Sequence, residues 1–279
     1  MTLVSIGDQV TEGTYPFHSR FRRTVNFRCR NRLISVVDEE IGDGPLNIVV
    51  RDFHRESTCV EAAPLIIGAN SVALGSLHFE FTASDYYHSD VTFDDWDPHL
   101  FDHNLSVFDE ELRTASSSKS LAFLLDEHRI MNFRPGFERA LTDQIRRGVH
   151  QMRSGHLLDG VRTLRGCGLG LTPSGDDFIA GLLIGLNLLQ QLRGQDYRKI
   201  ADEVFRTAKA GNIFSNSFLD LARRGLLFGR MKDLVLALMH EGEEMVRKSA
   251  ARLMAIGESS GADLGTGFLL TVRGEMGVS

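Results

Sequence analysis

Gly166-Cys167-Gly168-Leu169-Gly170-Leu171-Thr172-Pro173-Ser174-Gly175-Asp176-Asp177 runs directly into the apolar stretch Phe178 to Leu189. Alternating glycines are entropically costly to order, so a chain that keeps them there needs an unusual backbone path. The apolar run behind them reads as a buried helix, and Thr172-Pro173 and Ser174 compete as its start. A glycine-rich turn feeding a helix leaves backbone N–H groups unpaired, which makes it a ready anion site.

Working outward, the periodicity differs on the two sides of this helical half. Four of the six prolines (Pro16, Pro45, Pro64, Pro98) precede residue 100. Val25, Phe27 and Cys29 alternate with Asn26 and Arg28, and Leu77, Phe79 and Phe81 alternate with His78 and Glu80. Leu33 to Val37, Leu46 to Val50 and Leu65 to Ile67 add short β-branched runs, separated by turns such as Gly42-Asp43-Gly44-Pro45. After about residue 105 the period becomes helical. Phe137, Leu141, Ile145, Val149 and Met152 form one stripe, and Leu157, Leu158, Val161 and Leu164 a second. Later stripes are Ile200, Val204, Phe205, Ala208; Met231, Leu234, Val235, Leu238; and Met245, Val246, Ala250, Leu253. Glycines at 194, 211, 225, 242 and 257 punctuate them as C-terminal stops. The expected fold is α+β: a β barrel or sandwich over residues 1–104, then a mainly helical domain over 105–279. The connection over 105–130, broken by Ser116-Ser117-Ser118, is the least regular part.

At 279 residues, 42% hydrophobic and 24% charged, the chain has the composition of a globular protein with ample core. A net charge of −6 speaks against binding nucleic acid. Cys29, Cys59 and Cys167 are too few and too scattered for a disulfide framework. No signal-type start is present, and the longest apolar run falls short of the ~20 residues that span a bilayer, so the expectation is a cytoplasmic protein without membrane contact.

The helical half contains an echo. Ser174-Gly175-Asp176-Asp177-Phe178-Ile179-Ala180-Gly181 can be laid on Ser260-Gly261-Ala262-Asp263-Leu264-Gly265-Thr266-Gly267. Serine with a carboxylate three residues on outlines a capping box, so both windows are expected to start helices, with Gly181 and Gly267 allowing close approach. The plain alternative is two capped, tightly packed helices with no ligand. A third window, Asn212 to Ser217, reads best as an N-cap with polar neighbours.

At these residues the sequence resembles the AllH family, long described as a domain of unknown function. The resemblance rests on Gly-x-Gly-x-Gly-Leu-Thr-Pro-Ser-x-Asp-Asp (166–177) and the later Gly-x-x-Ser-Gly-x-Asp (257–263), and it extends to Gly44-Pro45-Leu46 and Trp96-Asp97-Pro98. The sequence departs from the family pattern at Leu169, where proline is frequent, and at Glu258, where histidine is frequent. The resemblance implies a subunit of oxamate carbamoyltransferase, active in allantoin nitrogen catabolism, which makes carbamoyl phosphate and oxamate from oxalurate. It therefore implies partner protein subunits and a small anionic substrate.

Both ligands carry an anionic end and an amide end. The glycine-rich turn, with Gly168, Gly170, Thr172, Ser174 and Gly175, suits the anion, and Asn212, Ser215, Ser260 and Asp263 complete the substrate-binding set. Asp176 and Asp177 are the catalytic candidates, accepting from the amide, or alternatively holding Mg²⁺; Arg165 is a candidate counter-charge. Attack of an amide on a carbamoyl carbon needs no protein nucleophile, so orientation and oxyanion stabilisation can carry the reaction. Two alternatives stand beside this reading: a non-catalytic anion-binding or scaffold subunit, and a stand-alone enzyme of different chemistry.

Two further features carry weaker expectations. Asp85, His88, Asp90, Asp94, Asp95, Asp97, His99, Asp102 and His103 lie close in sequence but match no zinc or calcium spacing, and read as strand edges and turns. Arg20, Arg22, Arg23, Arg28, Arg30 and Arg32 read as one solvated strand face.

Overall fold

A computed structural model describes residues 1–53, 63–93 and 95–277. Cys59 and Asp94 lie outside the described residues. The architecture is α+β, with strands first and helices after. The chain divides into two compact units, Met1–Asp90 with Leu226–Arg230, and Val91–Gly225 with Met231–Ser279.

The first unit holds two sheets. Its six-stranded sheet runs in the order β10 (Tyr86–Tyr87), β1 (Thr2–Gly7), β6 (Asn47–Arg51), β5 (Arg32–Asp38), β4 (Thr24–Cys29), β3 (Phe17–Phe21). A four-stranded sheet joins β2 (Gly13–Tyr15), β7 (Leu65–Ile67), β8 (Ser71–Leu74) and β9 (Leu77–Glu80). The five hydrophobic runs fall on β4, β5, β6, β7 and β9, and Phe27, Ile34, Ile48 and Val50 are fully buried. The expected polar face of β4 is different in one respect, because Asn26 is buried. Its cross-strand neighbours explain this: Asn26 pairs in register with Ser19 and Ser35, donates to Ser19 Oγ at 3.2 Å and accepts from Ser35 Oγ at 2.7 Å. A buried amide is tolerated when its hydrogen bonds are made. The arginines of residues 20–32 are exposed or half-buried.

The helical unit begins earlier than the periodicity indicates. Helix α1 spans Pro98–Ala115, with Asp97 accepting from the His99 N–H as N-cap and proline at the first helical position. So Asp97 to His103, read as strand edge and turn, is a helix start, and Trp96 packs edge-on against Phe101. Two 3₁₀ turns, Leu121–Leu124 and Glu127–Asn132, occupy the irregular connection. The Arg129 guanidinium holds the serine turn together by donating to the Ser116 and Ser117 carbonyls. The remaining helices are α2 (Phe137–Arg153), α3 (Leu157–Leu164), α4 (Ser174–Arg193), α5 (Arg198–Ala208), α6 (Ile213–Arg223), α7 (Gly229–His240), α8 (Glu243–Met254) and α9 (Ser260–Val272).

Each stripe lies on a helix, but the first residue of two stripes faces solvent: Phe137 is 66% exposed and Met245 41%. Both sit in the first turn of their helix, which overhangs the packed face. Gly194, Gly225 and Gly257 follow helices in left-handed conformation, as expected of stops. Gly242 instead precedes α8 as its N-cap, and Gly211 precedes the N-cap of α6. Helix α4 is buried on all sides from Gly175 to Leu186, and α9 from Gly261 to Val272. They pack against each other at the centre of the unit, and an all-round apolar helix can only be placed there. Among the described residues no helix is long and apolar enough to cross a membrane.

Candidate functional site

The two echoing windows meet. Helices α4 and α9 run side by side in the same direction: Gly267 sits against the backbone of Phe178, and Gly185 against Thr271 one to two turns further on. The contacts are reciprocal. A Cβ on Gly181 would lie 2.0 Å from the Leu264 carbonyl oxygen, and one on Gly267 would lie 2.1 Å from that of Phe178. Phe178 and Leu264 are equivalent positions of the echo. The turns before the helices repeat the relation. Gly175 donates to the Cys167 carbonyl (2.8 Å) and Gly261 to that of Ile256 (3.1 Å); Cys167 donates to Leu164 (2.9 Å) and Ile256 to Leu253 (3.0 Å). A Cβ on Gly175 would meet the Leu164 oxygen at 2.0 Å, and on Gly261 the Leu253 oxygen at 1.9 Å. The segments α3–α4 and α8–α9 are thus two copies of one device related by a local pseudo-twofold.

The side chains cross over in the same way. Ser174 and Ser260 were expected to cap their own helices, yet neither does, because α4 is preceded by Pro173 and α9 by Ser259, without a side-chain cap on either. Instead each serine is near enough to the other window's aspartate, Ser260 to Asp177 and Ser174 to Asp263, to lower that carboxyl's pKa against the effect of burial. Asp177 also accepts from Thr172 Oγ1 at 3.2 Å. Asp263 accepts from Ser259 Oγ at 2.8 Å and from the Leu121 backbone N–H at 2.6 Å, which fixes the first 3₁₀ turn. Burial pushes Asp177 well above the usual carboxylate range, and the nearby Asp263 charge adds to the effect. Burial likewise raises Asp263 to about 6, against the lowering effect of its donors. The pair is held in its neutral form more readily than any exposed carboxylate.

Where the copies differ is the loop between turn and helix. Seven residues (168–174) separate Cys167 from Gly175, against four (257–260) between Ile256 and Gly261. The longer loop contains Gly168 and Gly170, at φ +133° and +101°, and a Cβ on Gly168 would stand 2.5 Å from the Ser174 nitrogen. Three side chains tether it. Asp176 Oδ1 accepts from the Gly166 N–H (2.7 Å) at the entrance, Asn212 Nδ2 donates to the Leu171 carbonyl (2.7 Å), and Asp177 receives Thr172 at the exit. Asn212 is also the N-cap of α6, accepting from the Phe214 and Ser215 N–H groups, as its window indicated. Ser215 is buried, and its hydroxyl finds no partner among the described residues. Arg165 donates to the Thr207 carbonyl at 3.1 Å, so residues 207–212 lie alongside the loop, with exposed Lys209 among them.

Among the described residues, the N–H groups of Gly168, Leu169, Gly170, Leu171 and Thr172 have no hydrogen-bond partner. By contrast the two catalytic candidates face inward: Asp176 is 4% exposed and Asp177 2%. Neighbours on a helix point about 100° apart, so this pair does not converge on one point. Asp176 Oδ1 is engaged by the Gly166 N–H and Asp177 Oδ2 by the Thr172 hydroxyl. Among the described residues no group of three His, Cys, Asp or Glu side chains comes together as a metal set. Cys167 is buried, donates to the Thr163 carbonyl, and has its thiol pushed up by burial, so it is no activated nucleophile. The crossing of the two windows and the tethering by Asn212 were invisible in sequence; the only signal was the echo itself.

In class, the chain is an α+β protein whose helical unit pairs two Ser-Gly-x-Asp helix starts around a buried carboxyl pair, with an extended glycine loop on one of them. Residues 164–272 match the model of the AllH family, described as oxamate carbamoyltransferase subunit AllH. That region reaches from the end of α3 to the end of α9 and contains both windows. Comparison with curated proteins and with solved structures gives no match. The family description is that of a subunit of a larger enzyme, which implies partner chains.

Proposed function

We propose that this chain is a subunit of an oxamate carbamoyltransferase-like assembly, and that loop 168–172 receives the anionic end of carbamoyl phosphate. The observation that carries this is the run of five unpaired N–H groups, Gly168 to Thr172, ahead of a helix N-terminus. Successive backbone donors in a turn with left-handed glycines form a concave anion nest, and the start of α4 adds its positive dipole end. Arg165 and Lys209 on the flanking segments supply positive charge.

In the synthetic direction the oxamate amide nitrogen attacks the carbamoyl carbon. The new C–N bond forms, the C–O bond to phosphate breaks, and the nitrogen's proton leaves to solvent or to phosphate. The reverse reaction forms carbamoyl phosphate from phosphate and oxalurate, with oxamate as the leaving amide. Neither direction requires a protein nucleophile. The contribution of this chain is to orient the phosphate and stabilise its charge. Asp176 and Asp177 act by shaping the loop. Ser174, Gly175, Ser260 and Asp263 support it from beneath, and Asn212 and Ser215 close its side. Leu169, 78% exposed at the loop tip, is placed to be covered by a partner subunit.

The test is calorimetric titration of carbamoyl phosphate and inorganic phosphate, together with an oxamate carbamoylation assay of the assembly recovered from the native cell. Binding that disappears in Gly168→Ala, and in Asp176→Asn with Asp177→Asn, supports the loop as the site. Unchanged binding in those variants rules it out. A second reading, a non-catalytic scaffold or anion-binding subunit, is favoured by the inward commitment of both carboxylates. It predicts an assembly whose turnover survives Gly168→Ala.

A further inference from the structure

The outer face of α2 sends four cationic side chains into one cavity. Arg146, Arg147, His150 and Arg153 form one wall, the two 3₁₀ turns with Phe123 and Glu127 form the other, and the volume between them is about 460 Å³. All four cationic residues are exposed. Arg146, His150 and Arg153 stand at i, i+4 and i+7, so they share one helix face. At a rise of about 1.5 Å per residue their row is about 10 Å long. Glu127 is the one acid in the lining, and it meets Arg146 at 3.1 Å; Arg153 meets Glu275, which lies outside the cavity, at 2.6 Å. The side chains of Arg147 and His150 have no hydrogen-bond or ion-pair partner among the described residues. In a chain of net charge −6 this is a local excess of positive charge.

Both walls are fixed from behind. Helix α2 lies so close to α3 that a Cβ on Gly160 would stand 2.4 Å from the Gly148 carbonyl oxygen. The first 3₁₀ turn is held by the Leu121 N–H, which donates to Asp263 at 2.6 Å, and by Phe123 edge-on against Phe133. A preorganised cavity of this size suits a small molecule. We propose that it binds a small polyphosphate or polyphosphate ester, separately from loop 168–172, none of whose residues lines it. Guanidinium groups offer phosphate oxygens paired donors in matching geometry, and a row of cations matches a ligand whose charge is spread along a chain. A single carboxylate offers Arg146 no more than Glu127 already does. A polyanion does, and it displaces Glu127 readily because an exposed ion pair is weak.

The experiment titrates the full chain with inorganic tripolyphosphate by calorimetry, beside citrate as a polycarboxylate. Three variants are compared with wild type: the double change Arg147→Gln with His150→Gln, Glu127→Gln, and Arg162→Gln, an exposed arginine elsewhere that pairs with Asp159. Each titration is repeated with Gly168→Ala, so that binding at the glycine loop is separated from binding in the cavity. The double variant is expected to bind tripolyphosphate about tenfold more weakly, having lost two charge-assisted contacts. Glu127→Gln, which releases Arg146, should bind about threefold more tightly, and Arg162→Gln should bind as wild type does. Unchanged binding in the double variant overturns the proposal, as does an equal loss in Arg162→Gln. So do citrate binding as tight as tripolyphosphate, loss of binding with Gly168→Ala, and a wild type that binds no tripolyphosphate. Should the double variant fail to fold, Glu127→Gln decides: tighter binding supports the site and unchanged binding overturns it.

Discussion

The segments Leu164–Gly181 and Leu253–Gly267 share a framework and differ in what stands on it. Both end one helix, turn through a short bridge, seat a glycine against the carbonyl they have just left, and start a second helix whose aspartate is buried. Only the first carries seven residues in the bridge where the second carries four. The shared residues serve packing, and the extra ones expose unpaired N–H groups. The Ser-Gly-x-Asp motif is therefore shared framework, and the glycines before the first copy belong to the part that is not shared.

This correspondence can be broken most severely at the glycine wedges. Gly181→Ala and Gly267→Ala each place a methyl about 2 Å from a fixed carbonyl, and each is expected to cost about 3 kcal/mol or more, beyond any gain in helix propensity. Gly185→Ala meets the Thr271 side chain at 2.8 Å and the Phe268 carbonyl oxygen only at 3.3 Å, and should cost less. Urea unfolding measures all three, and a tolerated change at one of the first two positions would break the equivalence.

The carboxyl pair gives the next effect. Asp263 is raised from 3.8 to about 6, so the folded protein binds more protons than the unfolded chain across that window. Its stability contribution is present below pH 3.8 and falls as pH rises through about 6. Asp263→Asn should flatten this slope, gaining on the order of 3 kcal/mol relative to wild type between pH 4 and 7; parallel curves for the two proteins would contradict it. Asp177 shifts in the same direction, so part of the slope remains in the variant.

Smaller still is Asn212→Ala, which removes an N-cap and the tie to Leu171. It should cost about 1 kcal/mol by thermal unfolding and weaken phosphate binding, an effect that an ordinary cap would not have. The smallest change in stability is expected from deleting Leu169, Gly170 and Leu171, which gives the first bridge the length of the second. Loop length itself costs well under 1 kcal/mol at this scale. The shortened chain should fold and lose phosphate binding; retained binding would move the site away from the loop.

Much of this molecule was legible beforehand. The β-branched runs fell on strands, and the 3.6-residue stripes fell on helices, because alternation and helical period are local properties of the chain. The echo of Ser174 in Ser260 was visible, and so was Asn212 as a cap. Phe137 and Met245 misled because periodicity identifies a face without saying where its packing partner ends. The helix start at Asp97-Pro98 was hidden among acidic and aromatic residues that also suit turns.

The capping boxes show where sequence reading stopped. A serine and an aspartate three residues apart satisfy the local pattern whether or not they bond each other. The sequence by itself determined that the windows at 172–177 and 260–263 each start a helix, that those helices are apolar enough to be buried, and that the extra glycines before the first are not explained by a helix start. Only the tertiary structure decided that each aspartate is buried, and what packs against it. Contacts between side chains change with a shift in spacing of about an ångström, and Asp177 and Ser260 lie on two helices 83 positions apart in the chain. Glycines wedged against backbone carbonyls set that distance, and no local pattern contains it.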